Sequence, residues 1–263
     1  MGDATPDSEY GGSPILCNGI GTTAMEGAGI GMGSLVLVGA TGLAREVLAV
    51  ECANGRYDDA VIVDDRRTLW GAVIHGAKVI GPLAAAAPAT RGDLVLCAED
   101  AVERRETAER LFALGVTPDR WATVVHPAID VPPTCTVGAG SILLAGAVLT
   151  ADVQLHRHVV VMANAVLAHD VLVWDNAVIG AGAALAGAVR VGEAATVGMN
   201  ASVRIGVHVG AESTLGMGSV LLEDLPIGET WAGVPAAPLR RGARRPLPLN
   251  RTVRLPATRA SAS

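Results

Sequence analysis

A chain of 263 residues, half of them apolar, is long enough for one large domain or two ordinary ones with a substantial core. A formal charge of -6 and near-absence of aromatics, with one Phe and two Tyr, exclude nucleic acid as a natural partner, because binding it takes cation clusters and stacking platforms. No run of about 18 apolar residues spans a bilayer, no secretion signal opens the chain, and Cys17, Cys52, Cys97 and Cys135 form no CxxC pair that would signal zinc or a disulfide framework, so the reading is a cytoplasmic protein.

Residues 1–33 are rich in Gly, Ser and Thr without a hydrophobic period and read as a disordered leader. Over residues 34–125 strands and helices alternate. "SLVLVGATG" is a buried strand running into a Gly turn, "LAREVLAVECA" has helical spacing, and "AVIVDD" is a second strand ending on Asp64 and Asp65. "DLVLCAED" then reads as a strand and "AVERRETAERLFAL" as a helix with its charges on the outer face. Three such strands joined by helices make a small parallel sheet. The turn from Gly39 to Gly42 opens the first helix, where free N–H groups attract phosphate. Asp64 and Asp65 follow at the next strand end, a place for a ribose or a sugar amine. The bland alternative is a tight turn that only packs a helix on a sheet.

Residues 126–239 carry a different rhythm. Steps of six from Val131 reach Val137, Leu143, Leu149, Leu155, Val161, Leu167, Val173, Ile179, Leu185, Val191, Val197, Val203, Val209, Leu215, Leu221 and Ile227, all aliphatic. A small or β-branched residue stands two before nearly every one, as at Ser141, Ala147, Ala165 and Ala195, with Leu225 the exception. No α-helix and no simple strand alternation has a period of six; a parallel β-helix of hexapeptides does. One hexad per flat side gives a triangular coil of eighteen residues. Residues 240–263, with seven Arg and three Pro, read as a disordered basic tail.

Within this rhythm His169 and Asp170 stand side by side, two and three residues after Leu167 and so at a corner of the coil. The same count turns His156, His158 and His208 outward. An outward histidine is most often plain surface; the adjoining carboxylate and nearby Asn164 set His169 apart.

The ordered set of "GATGLAREV", "VDD", "HPAIDVPP", "LAHDVLV" and "WAGVPAAPLR" resembles the sugar acyltransferases that include sialic acid O-acetyltransferases and the N-acetyltransferases of bacillosamine and perosamine biosynthesis. The resemblance spans roughly residues 34–240. It implies a small Rossmann-like domain over 34–125 that binds the acceptor, followed over 126–239 by a left-handed parallel β-helix. It further implies a homotrimer with acetyl-CoA between subunits, no metal, and an acetyl group passed to the amine, less often the hydroxyl, of a nucleotide-linked sugar. By position His169 becomes the general base and Asp170 its helper. Thr41, Gly42, Leu43, Asp64, Asp65 and Glu99 fall on the nucleotide-sugar pocket, and Val178, Gly187, Met199 and Met217 on acetyl-CoA contacts. The residue types suit the chemistry. A thioester is already activated, so the enzyme positions the acceptor and removes a proton, and histidine, with an ordinary pKa of about 6.5, is fit for that.

The chain departs from the family pattern at Leu43, where His is common, and at Glu99 to Ala101, where Gly-Asn or Gly-Asp-Asn is usual. It departs again at Met162, Trp174 and Val178. Glu99 would bring negative charge near a diphosphate, which keeps a small amine without a nucleotide as an alternative acceptor. Two other classes stand beside the enzyme: a non-catalytic nucleotide-binding scaffold, and a metal-dependent hydratase on the same β-helix. The hydratase needs a His pair five apart, whereas His156 and His158 are two apart and His158 and His169 eleven.

Overall fold

The computed structural model describes residues 33–86 and 92–239. The expected leader up to residue 32 and the tail from residue 240 lie outside the described residues.

The first region is a sheet of five strands: β1 (Ser34–Val38), β2 (Asp59–Val63), β3 (Val73–Ile74), β4 (Ala77–Gly81) and β5 (Asp93–Leu96). Their order is β3-β4-β2-β1-β5. Strands β1, β2 and β5 are the three expected from sequence, paired in parallel. The sheet is larger than that expectation, because a short antiparallel hairpin, β3 and β4, adds an edge. Its turn is His75-Gly76, both at positive φ, which suits a tight hairpin. Helix α1 (Gly42–Asn54) starts at Thr41, whose hydroxyl accepts from the Ala44 N–H, and ends at Gly55 in the left-handed region. Helix α2 (Ala101–Ala113) is capped by Asp100, whose carboxylate takes the N–H groups of Val102 and Glu103. The expected all-exterior charge of α2 fails at Arg104, which is fully buried. Its guanidinium donates to the carbonyls of Leu96, Ala98 and His158, tying α2 to the second region.

That second region is the triangular prism. Two-residue strands recur every six residues, and each pairs in parallel with the strand eighteen residues on, as Ile142, Val160, Val178 and Thr196 show in turn. Face I holds the strands at 136–137, 154–155, 172–173, 190–191 and 208–209. Face II holds those at 142–143, 160–161, 178–179, 196–197 and 214–215. Face III holds those at 148–149, 166–167, 184–185, 202–203 and 220–221. Every hexad residue from Leu143 to Leu221 is buried, as are the small residues two before them. Val131 and Val137 are partly buried against that core. Ile227 is not inside: it is 76% exposed, and Leu225 takes the inward place, paired with Val209. The chain reaches the next inward residue four after Leu221 instead of six, so the phase slips and the coil closes.

Each edge turns through one residue at positive φ. From Gly140 to Gly218 these recur every six positions and include His158, Asn164, Asp170, Asn176 and Asn200. Gly, Asn and Asp tolerate that conformation best, which explains their spacing. The sheet region rests on face II: Leu43 and Val47 of α1 share an apolar cluster with Ile142, Leu144, Val160 and Val178.

Candidate functional site

His169 lies on the edge between faces III and I. In a strand, neighbouring side chains point to opposite sides. Here Asp170 stands at φ 60°, which turns its carboxylate back toward His169, and Asp170 Oδ2 lies 2.8 Å from His169 Nδ1. With the carboxylate accepting from Nδ1–H, Nε2 carries the lone pair. Both side chains are more than half exposed, 58% and 60%. Gly187, one coil further along the same edge, lies against the imidazole: a Cβ there would come 2.5 Å from Nε2. A glycine is what lets the ring lie flat on the edge. Asn164 belongs to the next edge, between faces II and III, so the cluster it was expected to form with His169 does not exist. Its Oδ1 lies instead over Gly146.

His156 and His208 are exposed as expected, but His158 is 7% exposed. Trp121 meets its ring edge-on at 4.5 Å. Burial first, then the Arg104 guanidinium, pushes the His158 imidazole down to about 4. Its Nδ1 and the Oδ1 of Asn176 one coil on are buried without a partner among the described residues.

The other candidate residues separate into two groups. Leu43 and Glu99 from the sheet region line one cleft with Val178, Met199 and Met217 from the prism, a space of about 220 Å³. Val160, Met162, Gly180, Thr196, Val197 and Gly198 complete it; of these the sequence marks only Met162, as a departure from the family pattern. The signal existed: Thr196 is Val178 plus eighteen, and Gly198 is Gly180 plus eighteen. The cleft runs along face II to its edge with face III. Gly187 is not in it; it lies with His169.

Thr41 and Asp64 hold the Gly turn together, while Asp65 ties the end of β2 to Leu83 and α2. The Thr41 hydroxyl donates to the Cys97 carbonyl at 2.6 Å. Asp64 is nearly buried and accepts from the N–H groups of Ala40 and Arg66 and from the Arg66 guanidinium. Burial alone would raise its carboxyl; the Arg66 side chain and the two amides hold it at about 2. Asp65 accepts from Arg110 and from the Leu83 N–H, which lower it too. The N-terminus of α1 is also taken: Glu99 Oε1 accepts from the Leu43 N–H at 3.0 Å, and a Cβ on Gly42 would come 2.7 Å from that oxygen.

Among the described residues no helix is long and apolar enough to cross a membrane, and no three His, Cys, Asp or Glu are grouped to hold a metal ion.

No protein-family model and no curated protein matches the chain. Solved structures do. The acetyltransferase domain of PglB from Neisseria gonorrhoeae, in complex with acetyl coenzyme A, is 33% identical over 80% of this chain and 100% of that one, with a TM-score of 0.72. PerB from Caulobacter crescentus, in complex with CoA and GDP-perosamine, is 30% identical over 81% and 100%, also at 0.72. WeeI from Acinetobacter baumannii, 20% identical over 78% and 99% at 0.61, shares the fold. The architecture is thus a small Rossmann-like domain followed by a left-handed β-helix. The chain belongs to the sugar O-/N-acyltransferase family of the sialic acid O-acetyltransferase and bacillosamine and perosamine N-acetyltransferase type, and it is an acetyl-CoA-dependent acetyltransferase.

Proposed function

We propose that the protein moves the acetyl group of acetyl-CoA to an amino group of a sugar-type acceptor, with His169 as general base, in a site completed by a second copy of the chain. The observation that carries this is the separation of the two halves of the site. His169 and Gly187 occupy the edge between faces III and I, whereas the cleft opens toward the edge between faces II and III. One whole face lies between them, a span on the order of 15 to 20 Å at about 3.3 Å per residue. The residues outward on the strands of face III are Val148, Val166, Ala184, Ser202 and Val220, and the next outward row is Thr150, Ala168, Ala186, Arg204 and Leu222, so that Arg204 is the one charge among these ten. Three copies turning face III toward a common axis bury that surface, and set the III–I edge of one against the II–III edge of the next. His169 of one copy then faces the apolar cleft of another, where the methionines suit the pantetheine arm.

In such a site Nε2 of His169 takes the proton as the acceptor nitrogen attacks the thioester carbon. The C–N bond forms, the C–S bond breaks, and CoA leaves as its thiolate, which takes the proton back from His169 and restores the base. Asp170 orients the ring and stabilises the imidazolium. The GDP-perosamine bound by PerB supports a nucleotide-linked sugar as acceptor. The occupied turn at α1 favours a second reading, an amine without a nucleotide.

Mixing two inactive variants tests the shared site. His169→Ala removes the base and Met199→Trp fills the cleft. Co-expressed, the two should restore release of free thiol from acetyl-CoA with an amino-sugar panel, since some mixed trimers contain an intact site. No recovery, together with a monomer in equilibrium sedimentation, would overturn the shared site.

A further inference from the structure

In a turn that opens a helix, the first free N–H groups are the natural seat for an acceptor's phosphate. Here that seat has an occupant belonging to the chain. The Glu99 carboxylate reaches across from the end of β5 and accepts from the Leu43 N–H, the second residue of α1, while Thr41 takes the Ala44 N–H. The oxygen stands so close over Gly42 that even a methyl group there would collide with it. The same side chain lines the cleft together with Leu43, so it faces whatever the cleft holds. The two aspartates at the end of β2, which might have competed for the turn, are committed to Arg66 and Arg110. Glu46, on the first turns of α1, adds a second carboxylate. Its carboxyl is raised first by burial and then by the charge of Glu99, which places the two acids in one field. Two cations stand near: Arg45, whose guanidinium lies 3.8 Å from where a Gly42 Cβ would be, and Arg66, which donates to the Ala40 carbonyl of the turn and is paired with Asp64.

We propose that Glu99 is a specificity residue: its carboxylate fills the anion seat at the start of α1, so that this site refuses a phosphate there and selects an acceptor presenting an ammonium or hydroxyl group. This rests on the proposed function, with acetyl-CoA along the prism wall of the cleft at Met199 and Met217 and the acceptor at its sheet-region end, beside Leu43 and Glu99. A carboxylate and a phosphate cannot share two or three amide donors, and like charges within a few ångströms repel strongly where water is thin. A protonated amine meets the opposite field and is drawn to the same place. The acceptor is therefore an amino sugar or similar amine that carries no nucleotide.

Titration calorimetry with UDP and with GDP on the full-length wild type, Glu99→Gln and Glu99→Gly tests this directly. The wild type should give no heat at millimolar nucleotide, and at least one variant should bind at least tenfold more tightly. That gain should vanish when Gly42→Val is added to the Glu99→Gly chain, which locates the nucleotide at the turn. Thiol release by the wild type should occur with glucosamine and not with UDP-glucosamine. Tight nucleotide binding by the wild type, or no gain in either variant with an unchanged melting curve, overturns the proposal. Thiol release with neither amine would sink the amino-sugar acceptor of the proposed function instead and leave the calorimetry to decide the role of Glu99.

Discussion

Two edges of one prism carry histidines under opposite conditions. On the edge between faces I and II, His158 is sealed beneath Trp121, its carbonyl is held by Arg104, and its imidazole is pushed to about 4. On the edge between faces III and I, His169 stands in the open, one nitrogen engaged by Asp170 and the other free. Both belong to the same hexapeptide rhythm, and one is followed and the other occupied by a residue at positive φ. The repeat therefore sets where a side chain leaves the coil, and whatever packs against that edge sets its chemistry. The sheet region covers the first edge and turns it into a joint; it leaves the third open.

The largest effect that sharpens this contrast is expected at His169. Replacing it with Ala should lower kcat by about 10² to 10⁴, the usual contribution of a general base, with little change in the KM for acetyl-CoA. The same replacement at His158 should leave kcat nearly intact in the protein that remains folded. A steady-state comparison of the two decides it, and near-normal turnover of the His169 variant would remove the base from the mechanism.

Next comes the joint itself. Arg104 is buried with three carbonyls as partners and no carboxylate. Arg104→Met fills similar volume but strands those acceptors, and should cost about 3 kcal/mol of stability, read as a shift in urea midpoint. Burial pushes the guanidinium itself down to about 10, so at neutral pH it stays charged. A loss below about 0.5 kcal/mol would mean that water replaces the side chain without cost.

The third effect is on pH. His158 is neutral in the folded protein down to about 4, whereas an unfolded histidine takes its proton near 6.5. Between those values the unfolded state binds more protons, so stability rises with pH through that window. It is fully present above about 6.5 and is lost as pH falls toward 4, with a magnitude of roughly 2 to 3 kcal/mol. His158→Phe keeps a ring against Trp121 and should flatten this part of the stability curve. An unchanged slope between pH 6.5 and 4.5 would place the titration elsewhere.

How much of this was legible in the sequence follows from the distances involved. The prism was readable because its order is local: each aliphatic residue from Leu143 to Leu221 predicts its own burial from a fixed period. The sealed edge was not, since Trp121 and Arg104 lie 37 and 54 residues before His158 and no period joins them. The cleft was half legible. Val178, Met199 and Met217 came through resemblance, but adding eighteen to Val178 would have reached Thr196 as well. The hairpin of β3 and β4 went unread because the glycines around it mask a two-residue strand, and only the alternating burial of Ala77–Gly81 marks the partner. Glu99 was noticed as out of pattern, but its hold on the Leu43 N–H needs the β5 end and the α1 start in space.

The smallest expected effect concerns Asp170. Its bond to His169 is short at 2.8 Å, yet the carboxylate is 60% exposed, so water screens the charge it lends to the imidazolium. Asp170→Asn keeps an oxygen that can accept from Nδ1–H, and the residue tolerates the positive φ that this position imposes. What is lost is the charge alone. A buried carboxylate in this role is worth several orders of magnitude; one that stays as open as in the single chain should be worth about tenfold in kcat, and one that a second copy covers more than that, with the KM for acetyl-CoA unchanged in both cases. Asp170→Ala, which also frees the ring to rotate over Gly187, should fall further. If Asp170→Asn falls as far as His169→Ala, the edge cannot be as wet in the working enzyme as it is in the single chain, which would itself point to a neighbouring copy closing over it.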